Sequence, residues 1–269
     1  MNRFLIFLFA TLLSTPSFAG EKETKVLIKT TMGKITVKLY NETPQHRDNF
    51  IKLVQEHAYD SIMFHRVIKL FMIQAGEKYA PLDTTKVASA NAAIQKELDA
   101  KPPKFFKRMT KKLGFDAEKR QEKKLKKQEK KQTQWIDPNY KAPDYKIPAE
   151  IVFPQYFHKR GQLCAAREED RVNPERMSSA LQFYIVTGKH YTDHELDKME
   201  REKNIVLTPQ QREAYKIDGG APHLDGAYTI FGEVTKGLKT MLKIELSDTN
   251  PFDRPLKDIR IKKTKILKK

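Results

Sequence analysis

Between Phe64 and Gly76 the chain reads Phe64-His65-Arg66-Val67-Ile68-Lys69-Leu70-Phe71-Met72-Ile73-Gln74-Ala75-Gly76, two apolar runs of strand length interrupted by one guanidinium and one carboxamide. The motifs of covalent and phosphate chemistry are missing: there is no Gly-rich phosphate loop, no nucleophile elbow and no paired-histidine metalloprotease helix. His190 and His194 have helical spacing but no third ligand, so no metal site is expected. Cys164 is the one cysteine and sits in an apolar run, which predicts a buried, inert thiol and excludes a disulfide framework. What remains is an arginine and a glutamine, whose chemistry is charge and hydrogen bonding. By residue type alone Arg66 could equally be an outward residue paired with an acid, with Phe71 and Met72 in the core.

The elements around this segment are short. Val26, Ile28 and Thr30 alternate with lysines and leucine, and Ile35, Val37 and Leu39 do the same after Met32-Gly33, the pattern of a hairpin. Thr43-Pro44 opens a helix, with Thr43 as N-cap and Phe50, Leu53, Val54 and His57 on one face. Phe64–Ile68, Phe71–Ala75, Leu163–Ala166, Phe183–Thr187, Thr229–Val234 and Ile259–Leu267 are further strands, and Gly237–Lys243 a second helix. Many short strands with few helices predict a mainly β chain, a closed sheet or a sandwich. Thr192 with Glu195, and Thr208 with Gln211, match the capping-box spacing, so 189–218 reads as a helical hairpin set between two strands.

At 269 residues the chain can bury a core without staples. Arg3, the apolar run Phe4–Leu13, Pro16 and Ser17-Phe18-Ala19 read as a cleaved export leader over 1–19, with a mature start near Gly20 and work outside the cytoplasm, in the periplasm. The net charge of +17 is local: Lys101–Lys131 holds 14 Lys and Arg against 4 Asp and Glu. Within it Asp116–Gln132 reads as a solvated helix or a partly disordered arm. Such a segment could attach to an anionic envelope surface; the leader argues against nucleic acid as a partner. One domain is expected over 20–269, interrupted by a basic insertion at about 77–139 and the hairpin insertion at about 189–218.

The segment 64–76 resembles the signature of cyclophilin-type peptidyl-prolyl cis/trans isomerases. Blocks in the same order resemble the family elsewhere: Tyr145–Glu150, His158–Gly161, Ser178-Ser179 with Gln182–Ile185, and Leu224–Gly226 with Tyr228–Gly232. The resemblance implies an eight-stranded antiparallel barrel capped by two helices, here with helical insertions. It implies Arg66 as catalytic arginine, Gln74 as partner of a substrate carbonyl, and Phe71, Met72, Tyr184 and Leu224 as walls of a proline pocket, with Ala166 and Tyr228 beside it. It further implies proline-containing polypeptides as substrates, no cofactor and a monomer. His223 and Tyr228 stand where many eukaryotic members have tryptophan and histidine. Arg167 replaces a frequent asparagine, and Leu181 is expected to narrow the adjoining pocket. The alternative from a different class is a module that binds proline segments with little turnover, tethered by its lysines.

Overall fold

The computed structural model describes residues 23–77 and 143–267. The expected leader over 1–19 and the basic segment Lys101–Lys131 lie outside them. Ten strands are described: β1 Lys25–Thr30, β2 Lys34–Leu39, β3 Met63–Ile68, β4 Met72–Glu77, β5 Lys146–Ile147, β6 Gln162–Ala165, β7 Ser178–Ser179, β8 Phe183–Val186, β9 Ile230–Lys236 and β10 Ile261–Leu267. The helices are α1 Pro44–Gln55, α2 Asp193–Lys203, α3 Pro209–Ile217 and α4 Leu238–Glu245. Eight strands pair antiparallel in the order β10-β1-β2-β9-β6-β8-β4-β3, while β5 and β7 form a separate pair. Ser61 N–H donates to Ile261 O at 2.7 Å, Ile261 N–H to Ile62 O at 2.8 Å and Phe64 N–H to Ile259 O at 2.9 Å. These bonds join the two edges, so the sheet curls into the expected barrel and leaves little open edge.

Alternation along the strands sorts side chains between two cores. Val37, Ile73, Leu163, Phe183 and Ile185 fill the barrel interior. Their neighbours Met72, Cys164, Tyr184 and Val186 form a second cluster on the outer face, covered by Leu224 and Tyr228 from the segment after α3. Helix α1 drives Phe50, Leu53 and Val54 into one barrel end, where Phe50 meets Tyr59, Phe183 and Phe231 at 4.9–5.6 Å between ring centroids. Met241 and Ile244 of α4 enter the same interior core.

One local expectation holds in position but not in its bonding, and one is corrected. Thr43 is the N-cap of α1, but its hydroxyl makes no capping bond and is buried without a partner. The carboxylate of Glu150 caps the helix instead, accepting from the N–H groups of Gln45 and His46 at 3.0 Å each and contacting His46 Nδ1 at 2.7 Å. A full negative charge suits the positive end of the helix better than a hydroxyl does. His57 leaves the helix face: it follows α1 with φ +56 and its side chain is exposed.

Both capping boxes at 192 and 208 form. Helices α2 and α3 share a small core of Leu196, Met199, Leu207 and Tyr215. Arg212 of α3 reaches Asp193, Asp197 and Glu200 at 3.1, 2.7 and 2.6 Å. The hairpin is pinned at its root, where Gly220 N–H donates to Lys189 O at 2.9 Å. A Cβ on Gly188 would overlap the Gly220 backbone, so this close approach requires glycine. No helix among the described residues is long and apolar enough to cross a membrane.

Candidate active site

Strict alternation would put Phe64 and Arg66 on one face, and Phe64 is in the interior core. The β3–β4 register prevents this. Phe64 pairs with Ala75 and Arg66 with Gln74, so β3 carries one extra residue, His65, between two consecutive residues of β4. This bulge flips the strand by one position and turns Arg66 outward, beside Gln74 on the same face. The bulged His65 is almost buried, with Nδ1 unpartnered. Burial first, then the charges of Arg254 and Arg66, push its pKa down to about 4.

All eight residues expected at the site line one cavity of about 140 Å³: Arg66, Phe71, Met72, Gln74, Ala166, Tyr184, Leu224 and Tyr228. Met72, Gln74 and Tyr184 come from adjacent strands, with Gln74 directly opposite Tyr184 and Met72 opposite Val186. Phe71 sits in the β3–β4 turn, where its carbonyl accepts from Thr187 and Gly188 N–H at 3.0 Å, and its ring lies 5.2 Å from that of His223. Leu224 and Tyr228 form the facing wall. Tyr184 and Tyr228 meet edge-on at 6.1 Å. Gln74 Nε2 donates to Gln182 Oε1 at 2.9 Å, which fixes the carboxamide and leaves its second N–H for another acceptor. Arg66 Nε lies 3.4 Å from Asp253 Oδ2, with both side chains close to half exposed.

Arg167, expected beside the groove, has no role in the site by sequence alone. It is the ninth lining residue, and its side chain is only 3% exposed. Its guanidinium lies 4.2 Å from the centre of the Tyr228 ring, Nε donates to Ala227 O at 3.0 Å, and Nη1 pairs with Asp170 at 2.6 Å. It thereby holds the wall that carries Tyr228. Leu181, expected at the adjoining pocket, instead packs in the barrel interior. That pocket, about 340 Å³, is lined among others by Gln74, Lys146, Glu168 and Gln182.

Behind the cavity runs a buried polar chain. The side chains of His158 and Asp225 are fully buried, with Nδ1 2.9 Å from Asp225 Oδ1, which also accepts His158 N–H at 2.8 Å. Tyr184 OH lies 3.1 Å from His158 Nε2, and Tyr215 OH donates to Asp225 Oδ2 at 2.6 Å. The imidazole thus bridges the Asp225 carboxylate on one side and the Tyr184 hydroxyl on the other. Burial raises the pKa of both phenols far above the ordinary value, so both remain donors. The chain links Tyr215 of α3 to Tyr184 in the cavity, and Asp225 directly follows the wall residue Leu224. Cys164 lies in the same cluster, fully buried, and burial pushes its thiol pKa up.

A sequence model described as cyclophilin type peptidyl-prolyl cis-trans isomerase matches residues 25–266. Peptidyl-prolyl cis-trans isomerase-like 1 of Aspergillus fumigatus is 25% identical over 245 residues, covering 91% of this chain and 96% of the relative. A solved cyclophilin type peptidyl-prolyl cis-trans isomerase of Cryptosporidium parvum has a TM-score of 0.51 at 19% identity, covering 92% of this chain and 99% of that one. The same Cryptosporidium protein, solved in the presence of the dipeptide Ala-Pro, also gives 0.51, at 18% identity over 91% and 99% of the two chains. Matched from its first strand to its last, the chain belongs to the cyclophilin-type peptidyl-prolyl cis-trans isomerases.

Proposed function

We propose that this isomerase turns X–Pro bonds by non-covalent stabilisation of the twisted amide, with Arg66 and Gln74 as its polar groups. The observation that carries this is the bulge-driven pairing of Arg66 with Gln74 on the outer face, against an apolar cavity. An X–Pro bond crosses a barrier of about 18–20 kcal/mol, in tens to hundreds of seconds unaided. In the transition state conjugation is lost and the nitrogen regains a lone pair. A guanidinium that donates to it binds the twisted form better than the planar one, and that difference is catalysis. Gln74 holds the neighbouring carbonyl while Phe71, Met72, Tyr184 and Leu224 grip the ring, with Ala166 and Tyr228 beside it. The Arg66–Asp253 pair is exposed and worth about 0–1 kcal/mol, so substrate releases the arginine at little cost. That the Cryptosporidium protein was solved in the presence of the dipeptide Ala-Pro accords with a cavity that takes a proline ring.

In Arg66→Ala the lost charged hydrogen bond, about 1.5–3 kcal/mol, lowers kcat/KM ten- to a hundredfold in a folded protein. Wild-type turnover in that variant overturns the assignment.

The leader over 1–19 supports a periplasmic role in folding exported, proline-containing chains. N-terminal sequencing of the mature protein tests it, with Gly20 as the expected start. The net +10 of Lys101–Lys131 supports attachment to an anionic surface. Sedimentation with anionic vesicles must then weaken steeply with salt.

A further inference from the structure

Ten large hydrophobic side chains are exposed among the described residues. Four of them, Leu70, Leu246, Phe252 and Leu256, belong to segments that meet beside Arg66. Hydrogen bonds from backbone N–H groups stitch these segments together. Leu70 N–H donates to the Glu245 carboxylate at 2.7 Å, one residue before Leu246. Val67 N–H donates to Asp253 O at 2.7 Å, one residue after Phe252, and Leu256 N–H donates to Asp248 O at 2.8 Å. The β3–β4 turn, the end of α4 and the 248–256 loop therefore form one surface.

Two residues on this surface hold the left-handed backbone that non-glycine residues avoid: Leu70 at φ +59 and Asp253 at φ +62. Asp253 has a partner in Arg66. Leu70 has no packing return, being 62% exposed. A branched apolar side chain held in a costly conformation and offered to water points to contact with something outside the chain. Its position says what. Leu70 directly precedes the cavity wall Phe71, and Phe252 directly precedes the partner of Arg66, so the apolar rim begins where the cavity ends.

Resting on the isomerase reading above, we propose that Leu70, Leu246, Phe252 and Leu256 form a second docking surface for the substrate polypeptide, taking apolar side chains a few residues from the proline. Continuity with the cavity selects this occupant over a second copy of the chain, which would cover Arg66. An extended chain advances about 3.3 Å per residue, so residues two to four positions from the proline lie within reach of such a rim.

The test is the double variant Leu70→Ser/Phe252→Ser, assayed on two peptides: Ala-Ala-Pro-Ala, and a twelve-residue peptide with leucine and phenylalanine on both sides of a single proline. Both positions are exposed, so the fold is kept. The expected result is short-peptide kcat/KM within twofold of wild type, with a loss of fivefold or more on the long peptide, carried by KM. Leu70→Gly should lose long-peptide affinity while its Tm rises, since glycine relieves the left-handed backbone. Equal losses on both peptides, or none on either, overturn the proposal. So does a wild-type dimer that the double variant dissolves while long-peptide turnover is unchanged. Should Arg66→Ala retain full activity, the catalytic assignment fails separately: long-peptide affinity, measured by fluorescence anisotropy, still decides the rim.

Discussion

Tyr215→Phe removes one oxygen and keeps the ring against Phe157 and Tyr191. The lost group is the donor to Asp225 Oδ2, a 2.6 Å bond to a fully buried carboxylate. Taking one donor from such a charge costs about 1.5–3 kcal/mol. In a domain of this size each kcal/mol moves Tm by about 2–4 °C, so a loss near the middle of that range lowers it by about 4–8 °C. Asp225 keeps both bonds from His158, so the chain to Tyr184 loosens without breaking. If about a third of the loss, roughly 0.7 kcal/mol, is felt at the cavity wall, KM for a short X–Pro peptide rises about threefold with kcat nearly unchanged. Leu207→Ala is the control. It empties the same hairpin core, should cost about 2–5 kcal/mol, and touches neither Asp225 nor the cavity. Melts give the two midpoints, and steady-state kinetics are read well below both. An unchanged KM in Tyr215→Phe, or the same rise in Leu207→Ala, refutes the link between hairpin and pocket.

Two further outcomes follow from single groups. The folded pKa of His65 is lowered to about 4, so below pH 6.5 the unfolded chain binds a proton that the folded chain refuses. Stability therefore falls as pH drops from 6.5 towards 4, by up to about 3 kcal/mol, and urea midpoints of His65→Gln should lose that part of the slope. Glu150→Ala should cost about 1–2 kcal/mol by uncapping α1, whereas Thr43→Val, which removes only an unpartnered hydroxyl, should stay within about 0.5 kcal/mol; the reverse order in thermal melts contradicts the cap.

Much of the barrel was legible because its signals are local. Alternation from Lys25 to Leu39 marks the first hairpin, and Thr192 and Thr208 mark their helices through bonds that span three residues. What escaped depends on partners remote in sequence. Period two alone directs Arg66 into the core, and only the register against β4 shows the bulge that turns it out. Glu150 caps a helix more than a hundred residues earlier, where the sequence offered only Thr43. Leu181 looked like a groove residue from its neighbours in the motif, yet the strand entry points it inward. The chain from Tyr215 to Tyr184 joins four residues from four separate stretches, and no spacing within any one of them announces it.

The bond between Lys189 and Gly220 makes the helical hairpin an appendage with a fixed footprint. Whatever lies between those residues, the barrel experiences a loop whose ends are one hydrogen bond apart. Loop-closure entropy grows only with the logarithm of length, so replacing a three-residue turn by about thirty residues costs roughly 2 kcal/mol. The hairpin's own core, with Leu196 and Tyr215 fully buried, can repay that sum without drawing on the barrel. Such a root is a mounting point: structure can be gained or exchanged there at nearly constant stability. What evolves at that point is reach, and in this chain the reach ends on a carboxylate behind the cavity wall.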